Sequence, residues 1–197
     1  MNYTAITQLK LKEAFKDNYI FNLVNEEKQY IDKLFETSNR GKLYVYDDAN
    51  KGHCVITNDT RNIGSNKLLE VINSEHKNIF LLHIDGILFS KDSKCDCALI
   101  TISDLQFVEF KTEALQNSNQ AIEDNYNKAC NQLSTTFKEF KERCSKVNVD
   151  ISDLIKVKAY AVFNKTVPAN SATQKKLRVK FLEDNGIPLI FSNVTNL

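Results

Sequence analysis

The stretch 94–112, KCDCALITISDLQFVEFKT, decides how this chain is read. CALI at 97–100 and FVEF at 107–110 are short apolar runs, and Ser103-Asp104 between them supplies turn chemistry. The pattern predicts two strands joined by a turn. Three charges sit in or beside them. Asp96 heads the first strand, Glu109 lies inside the second, and Lys111 closes it. Side chains alternate across a strand, so Glu109 and Lys111 point to one face. A hairpin register that turns Asp96 to that face brings two carboxylates and a lysine to one spot.

Charges are seldom placed within apolar strands unless they are paired or bound to a metal. Two carboxylates form a hard-oxygen site suited to Mg2+, which binds through one or two carboxylates, waters and substrate phosphate oxygens. A lysine beside them stabilises developing negative charge or orients and deprotonates a water. These are the parts of a metal-assisted phosphodiester hydrolase.

Asp96, followed thirteen positions later by Glu109-Phe110-Lys111, resembles the D…(D/E)-x-K signature of the PD-(D/E)XK nucleases. The setting also resembles theirs: the aspartate heads an apolar strand, E-x-K lies in the next, and a long helical stretch follows. The resemblance spans about residues 79–163. It departs from the family name in one place, because Cys95 stands where the name has proline. It implies a restriction-endonuclease-like core, a mixed central sheet flanked by helices, in an α/β (mixed α+β) chain. It further implies Asp96, Glu109 and the Phe110 backbone carbonyl as ligands of Mg2+, with Mn2+ able to substitute, and Lys111 as the catalytic lysine. Glu70 is a candidate fourth ligand by position, since a first core helix sometimes adds an acid in that superfamily. Gln132 falls where related nucleases carry a glutamine near the site, and Gln120 is its rival. The implied substrate is nucleic acid, DNA foremost. A homodimer or a partner protein stays open, as do defence, repair and recombination.

The 197 residues suit one compact unit, read as an N-terminal helical and hairpin extension over 1–64 and a nuclease-like core over 65–197. Net charge is +1, so no global field draws the chain to nucleic acid. The charge is uneven, however. Residues 137–180 hold eleven Lys/Arg against four Asp/Glu, and the rest holds fifteen against twenty-one. Lys175, Lys176 and Arg178 in this basic part are candidate phosphate contacts. Five cysteines, no apolar leader and no run of about 18 apolar residues point to free thiols in the cytoplasm and no membrane span. Cys95-x-Cys97 is too close for a zinc pair, and His53, His76 and His83 are scattered. With Asp96 facing the site, both cysteines are expected on the opposite, core-facing side.

Periodicity sets the remaining elements. Helices are predicted over 3–16, 26–35, 66–75, 113–145 and 172–184, the last opened by the capping box Ser171-x-x-Gln174. Gly41 is expected as a left-handed helix stop. Strands are predicted over 42–47, 53–57, 78–89, 154–163 and 186–193. Asp85-Gly86 bends the 78–89 stretch, and Asp85 is a rival metal ligand. Pro188 suggests that the final strand lies at a sheet edge. A non-catalytic member of the fold, acting as a binding or assembly module, is the alternative function. A hydrolase of small phosphates ranks last, because the sequence offers no nucleotide pocket.

Overall fold

The computed structural model describes residues 9–16, 34–61, 63–64, 67–89, 94–112, 119–164, 167 and 171–197. In chain order these form α1 (Leu11–Ala14), β1 (Phe35–Ser38), β2 (Lys42–Asp48), β3 (His53–Thr57), β4 (Leu69–Ile72), β5 (Ile79–His83), β6 (Cys97–Ile100), β7 (Asp104–Lys111), α2 (Asn119–Lys146), α3 (Ile151–Leu154), β8 (Lys156–Phe163), α4 (Ala172–Asn185), β9 (Leu189–Phe191) and β10 (Val194–Asn196). The chain is mixed α/β, with two mixed sheets.

The large sheet has the order β1-β5-β6-β7-β8-β9. β5, β6 and β7 form an antiparallel meander. β7 then pairs parallel to β8, and β8 parallel to β9. A parallel pair needs a crossover, and α2 and α4 supply the two crossovers. The small sheet has the order β10-β4-β2-β3.

Alternation along β7 sorts the core into two layers. Leu105 and Phe107 face the helices, where they join Tyr126, Ala129, Leu133, Phe137 and Phe140 of α2. Val108 and Phe110 face the other way and pack with Leu43, Val45, Leu69 and Val71 of the small sheet. A buried polar clasp ties the sheets, with Thr195 Oγ1 donating to Gln106 Oε1 at 2.8 Å.

Several expected elements are present. The β2–β3 hairpin, the 97–100 and 107–110 strands, the bend at Asp85-Gly86 and, from Asn119 on, the long helix all stand where the sequence put them; residues 113–118 of the expected helix lie outside the described residues. Ser171 Oγ accepts the Gln174 N–H at 3.1 Å, and Gly186 closes α4 in the left-handed region at φ 73°. β9 with Pro188 before it forms the sheet edge.

Others require correction. Phe35 opens a strand where the sequence suggested the end of a helix, and residues 69–72 form a strand instead of a helix. The apolar residues at 68, 69, 71 and 72 fit either period, and the small sheet settles it by pairing β4 with β2 and β10. Gly41 has no positive φ. A Cβ there would lie 3.0 Å from the His76 ring, so close packing explains it. Of the predicted 3–16 helix, Leu11–Ala14 is helical; residues 1–8 and most of 26–35 lie outside the described residues. The expected boundary at 64/65 falls between β3 and β4, strands of the same small sheet. No described helix is long and apolar enough to cross a membrane.

Candidate functional site

The site begins where β6 leaves β7. The two strands keep register from Ile100 opposite Leu105 to Cys97 opposite Val108. Continued, the ladder would set Cys95 against Phe110. Instead, the Cys95 N–H donates to Thr136 Oγ1 on α2 at 2.8 Å. The Asp96 carbonyl accepts the N–H groups of Ile84 and Asp85 at 3.2 and 3.3 Å. The strand head is thus drawn toward α2 and β5. The Phe110 N–H loses its backbone partner, and Asp96 Oδ2 accepts it at 2.6 Å. In a strand the N–H and C=O of one residue point to the same edge, so the Phe110 carbonyl faces the same gap.

Glu109 follows Leu105 and Phe107 on the helix-facing side of β7, an acid at a core position. It is 0% exposed. Its Oε1 accepts a hydrogen bond from Lys111 Nζ, and its Oε2 is buried with no hydrogen-bond partner. Lys111 Nζ also donates to Gln132 Oε1 at 2.8 Å. Gln132 Nε2 donates to the Lys94 carbonyl at 2.9 Å, which fixes which end of the amide meets the lysine.

Electrostatics follow from this enclosure. Burial pushes the Glu109 carboxyl well above its ordinary range; the Asp96 charge adds to the push, and Lys111 opposes it. Burial also lifts Asp96 to about 7, against the pull of the Phe110 N–H. Asp47 and Asp85 raise it further, while Lys111 lowers it. Like charges close together disfavour joint ionisation, so the pair resists being doubly charged without a cation.

Asp96, Glu109, Lys111 and Gln132 therefore converge. Glu70 does not stand on a helix. It lies on β4 in the small sheet, where its Oε1 meets Lys42 Nζ at 2.7 Å. Gln120 is exposed and donates to Asp124 Oδ1 at 2.9 Å. Lys175 and Lys176 are exposed in the first turns of α4, and the Arg178 guanidinium stacks over Phe191 at 5.7 Å. That end of α4 is anchored near the cluster's end of the sheet. Gln174 Nε2 donates to the Tyr126 hydroxyl, and Tyr126 packs on Phe163, the partner of Lys111 across β7–β8. His83 is buried and stacks on His53 at 4.4 Å.

The cysteines need a correction. All five thiols are free and buried. Cys97 lies between the sheets as expected, but Cys95 belongs to the helix-side core. Strand alternation ends at Cys97, so it does not extend to the residue before Asp96.

Three contributors escaped the sequence reading. Asp47 carried a signal, because it continues the inward alternation of Leu43 and Val45. Thr136 carried none, since it sits in the apolar stripe of α2 like any buried threonine. Lys94 is buried beside the motif and pairs with Glu139 Oε2 at 2.5 Å, a contact that no spacing announces.

No family model, curated protein or solved structure matches the chain.

Proposed function

We propose that this cluster is the centre of a Mg2+-dependent nuclease that hydrolyses phosphodiester bonds, in DNA foremost, on a restriction-endonuclease-like core. One observation carries the reading: Glu109 Oε2 is a fully buried carboxylate oxygen with no partner, beside a second carboxylate and a tethered lysine. An unmatched buried acid is costly, and a divalent cation relieves that cost. The antiparallel meander followed by a helical crossover to a parallel strand supports the fold reading. The strand at 69–72, where a first core helix was expected, departs from it.

The donors suit the ion, being hard oxygens from Asp96, Glu109 and the Phe110 carbonyl. When bound, Mg2+ or Mn2+ would supply Lewis acidity toward a phosphoryl oxygen. The protein's own groups do the rest. Lys111 has three ammonium hydrogens; Glu109 and Gln132 take two, leaving one for the attacking water or a phosphate oxygen. Gln132, braced by the Lys94 carbonyl, keeps that third hydrogen aimed. Lys175, Lys176 and Arg178 guide the phosphate backbone from α4.

The test is cleavage of supercoiled plasmid, linear duplex, single-stranded DNA and RNA, with Mg2+, Mn2+ or EDTA. Wild type is run beside Lys111→Ala. Metal-dependent cutting that the variant loses supports the proposal and identifies the polymer. A folded wild type that cuts none of them overturns it in favour of a binding module, and a variant that cuts at the wild-type rate removes Lys111 from the chemistry.

A further inference from the structure

The segment that enters β6 is held against α2 at three levels. Gln132, Thr136 and Glu139, spaced four and then three apart, share one face of that helix. Gln132 Nε2 donates to the Lys94 carbonyl at 2.9 Å, and Thr136 Oγ1 accepts the Cys95 N–H at 2.8 Å. That carbonyl and that N–H belong to one planar peptide unit, so both of its poles are gripped. The third level is a side chain. Lys94 Nζ meets Glu139 Oε2 at 2.5 Å, and Lys94 is only 2% exposed. The other Glu139 oxygen accepts from Arg143 Nε at 3.1 Å, and Lys94 Nζ lies 5.2 Å from the centre of the Phe89 ring.

We infer that Lys94 and Glu139 are positioning residues of the centre: their buried ion pair holds the 94–95 peptide in the orientation in which Gln132 presents its Oε1 to Lys111. The consequence for catalysis rests on the hydrolase reading above. Stability is a poor reason for the pair. A lysine is seldom buried, and a buried ion pair gains little over apolar residues of the same volume. Geometry is a better reason. A glutamine amide can turn over and offer either its oxygen or its nitrogen. Gln132 is kept from turning because the Lys94 carbonyl takes its N–H. With the nitrogen forward, it would meet the Lys111 ammonium donor to donor. The anchored Lys94 side chain resists rotation of the peptide that carries this carbonyl. An ion pair outside the motif thus sets where the ammonium points.

The test replaces Lys94 by Met in the full chain, which keeps the volume and leaves Glu139 paired with Arg143. The direct readout is the NMR nitrogen resonance of the Lys111 ammonium, assigned by its absence from Lys111→Ala. In wild type two acceptors hold the ammonium, so its hydrogens should exchange slowly enough to be seen. In Lys94→Met the signal is expected to disappear into exchange with water. On the polymer that the wild type cuts, kcat is expected to fall about tenfold at unchanged KM, the range for groups that orient a reacting centre without touching it. Gln132→Ala should lose at least as much, and adding Lys94→Met to it should cost nothing more, because both act through one amide. If wild type shows no such signal, if Lys94→Met keeps it, or if its loss of kcat multiplies with that of Gln132→Ala, the inference falls and the hydrolase reading stands. A wild type that cuts nothing, with the signal lost in Lys94→Met, supports the positioning and overturns the hydrolase reading. Melting curves establish that each variant is folded. Should Lys94→Met not fold, the double variant Lys94→Met/Glu139→Met removes both charges at similar volume and decides in its place.

Discussion

Lys42 and Glu70 meet at 2.7 Å on the small sheet, and Lys111 meets Glu109 on the large one. The chemistry is the same and the strand setting is similar. The exposures are not: 54% and 31% for the first pair of side chains, 19% and 1% for the second. The Glu70 side chain is open to solvent, whereas Glu109 Oε2 is buried with no hydrogen-bond partner. A Lys–Glu pair on a sheet therefore says little about function; enclosure with an unmet valence says much. The comparison also separates what the two lysines can do. Lys42 lies over the Tyr44 ring at the surface, while Lys111 is held by two partners that leave it one hydrogen.

The widest break between the pairs is expected in activity. Lys111→Ala should lower cleavage by about a thousandfold or more, since it removes both a proton-handling group and a charge at the developing phosphorane. Lys42→Ala should leave the rate unchanged. Equal losses in both, measured on the same substrate, would mean that the lysines act only through the fold.

Stability against pH sharpens the contrast. Asp96 is raised to about 7 in the folded protein, from an ordinary carboxylate value when unfolded. The folded state holds its proton more tightly, so this group favours folding below about pH 4. That contribution is lost as pH rises from about 4 to 7, and little changes beyond. In EDTA, Asp96→Asn should therefore be more stable than wild type at pH 8, by about 2 kcal/mol once its solvent-facing edge is discounted. At pH 4 the advantage should vanish. Saturating Mg2+ should reverse the order at pH 8, because a ligand that binds only the folded state stabilises it. Denaturant melts of both proteins, with and without the ion, decide the matter.

The sequence made the site's chemistry legible and its anchoring illegible. Asp96, Glu109 and Lys111 stood out because charges interrupt an apolar alternation, and a period of two says which of them share a face. The hairpins, the long helix and the Ser171 cap were legible for the same reason, that local pattern determined them. Residues 69–72 were not, because LEVI fits a strand or a helix turn until β2 and β10 are seen beside it. β10 itself is three residues long, and only its distant partner gives it meaning. Thr136 was invisible for a related reason: its role is a bond to a backbone N–H forty-one residues away.

That bond is where the two pairs differ in support, since the strand carrying Glu70 is paired with β2 and β10 of its own sheet. Thr136 is fully buried, accepts from Cys95 and donates to the Gln132 carbonyl at 2.8 Å. Thr136→Val keeps the shape and strands the Cys95 N–H, so it should cost about 1–2 kcal/mol, within the range for an unsatisfied buried donor. Mn2+ affinity should fall as well, because the strand head carrying Asp96 is released. Thr136→Ser restores the acceptor and should recover the affinity. A valine variant that is less stable yet binds Mn2+ normally would reduce Thr136 to a packing residue.

The smallest effect belongs to the surface pair. Glu70 raises the Lys42 ammonium above its ordinary value, chiefly through their hydrogen bond. A raised lysine stabilises the fold below its unfolded value and loses that contribution as pH climbs through the folded one, so the pair works throughout neutral pH. It works weakly, because both partners are wet and salt screens them. Glu70→Gln should leave the melting temperature unchanged within about 1 °C, and less than that at high salt. It should leave Mn2+ affinity unchanged too, whereas Asp96→Asn should abolish it. A metal defect in Glu70→Gln would show that the small sheet acts on the centre as a whole, and the contrast between an idle pair and a working one would no longer hold.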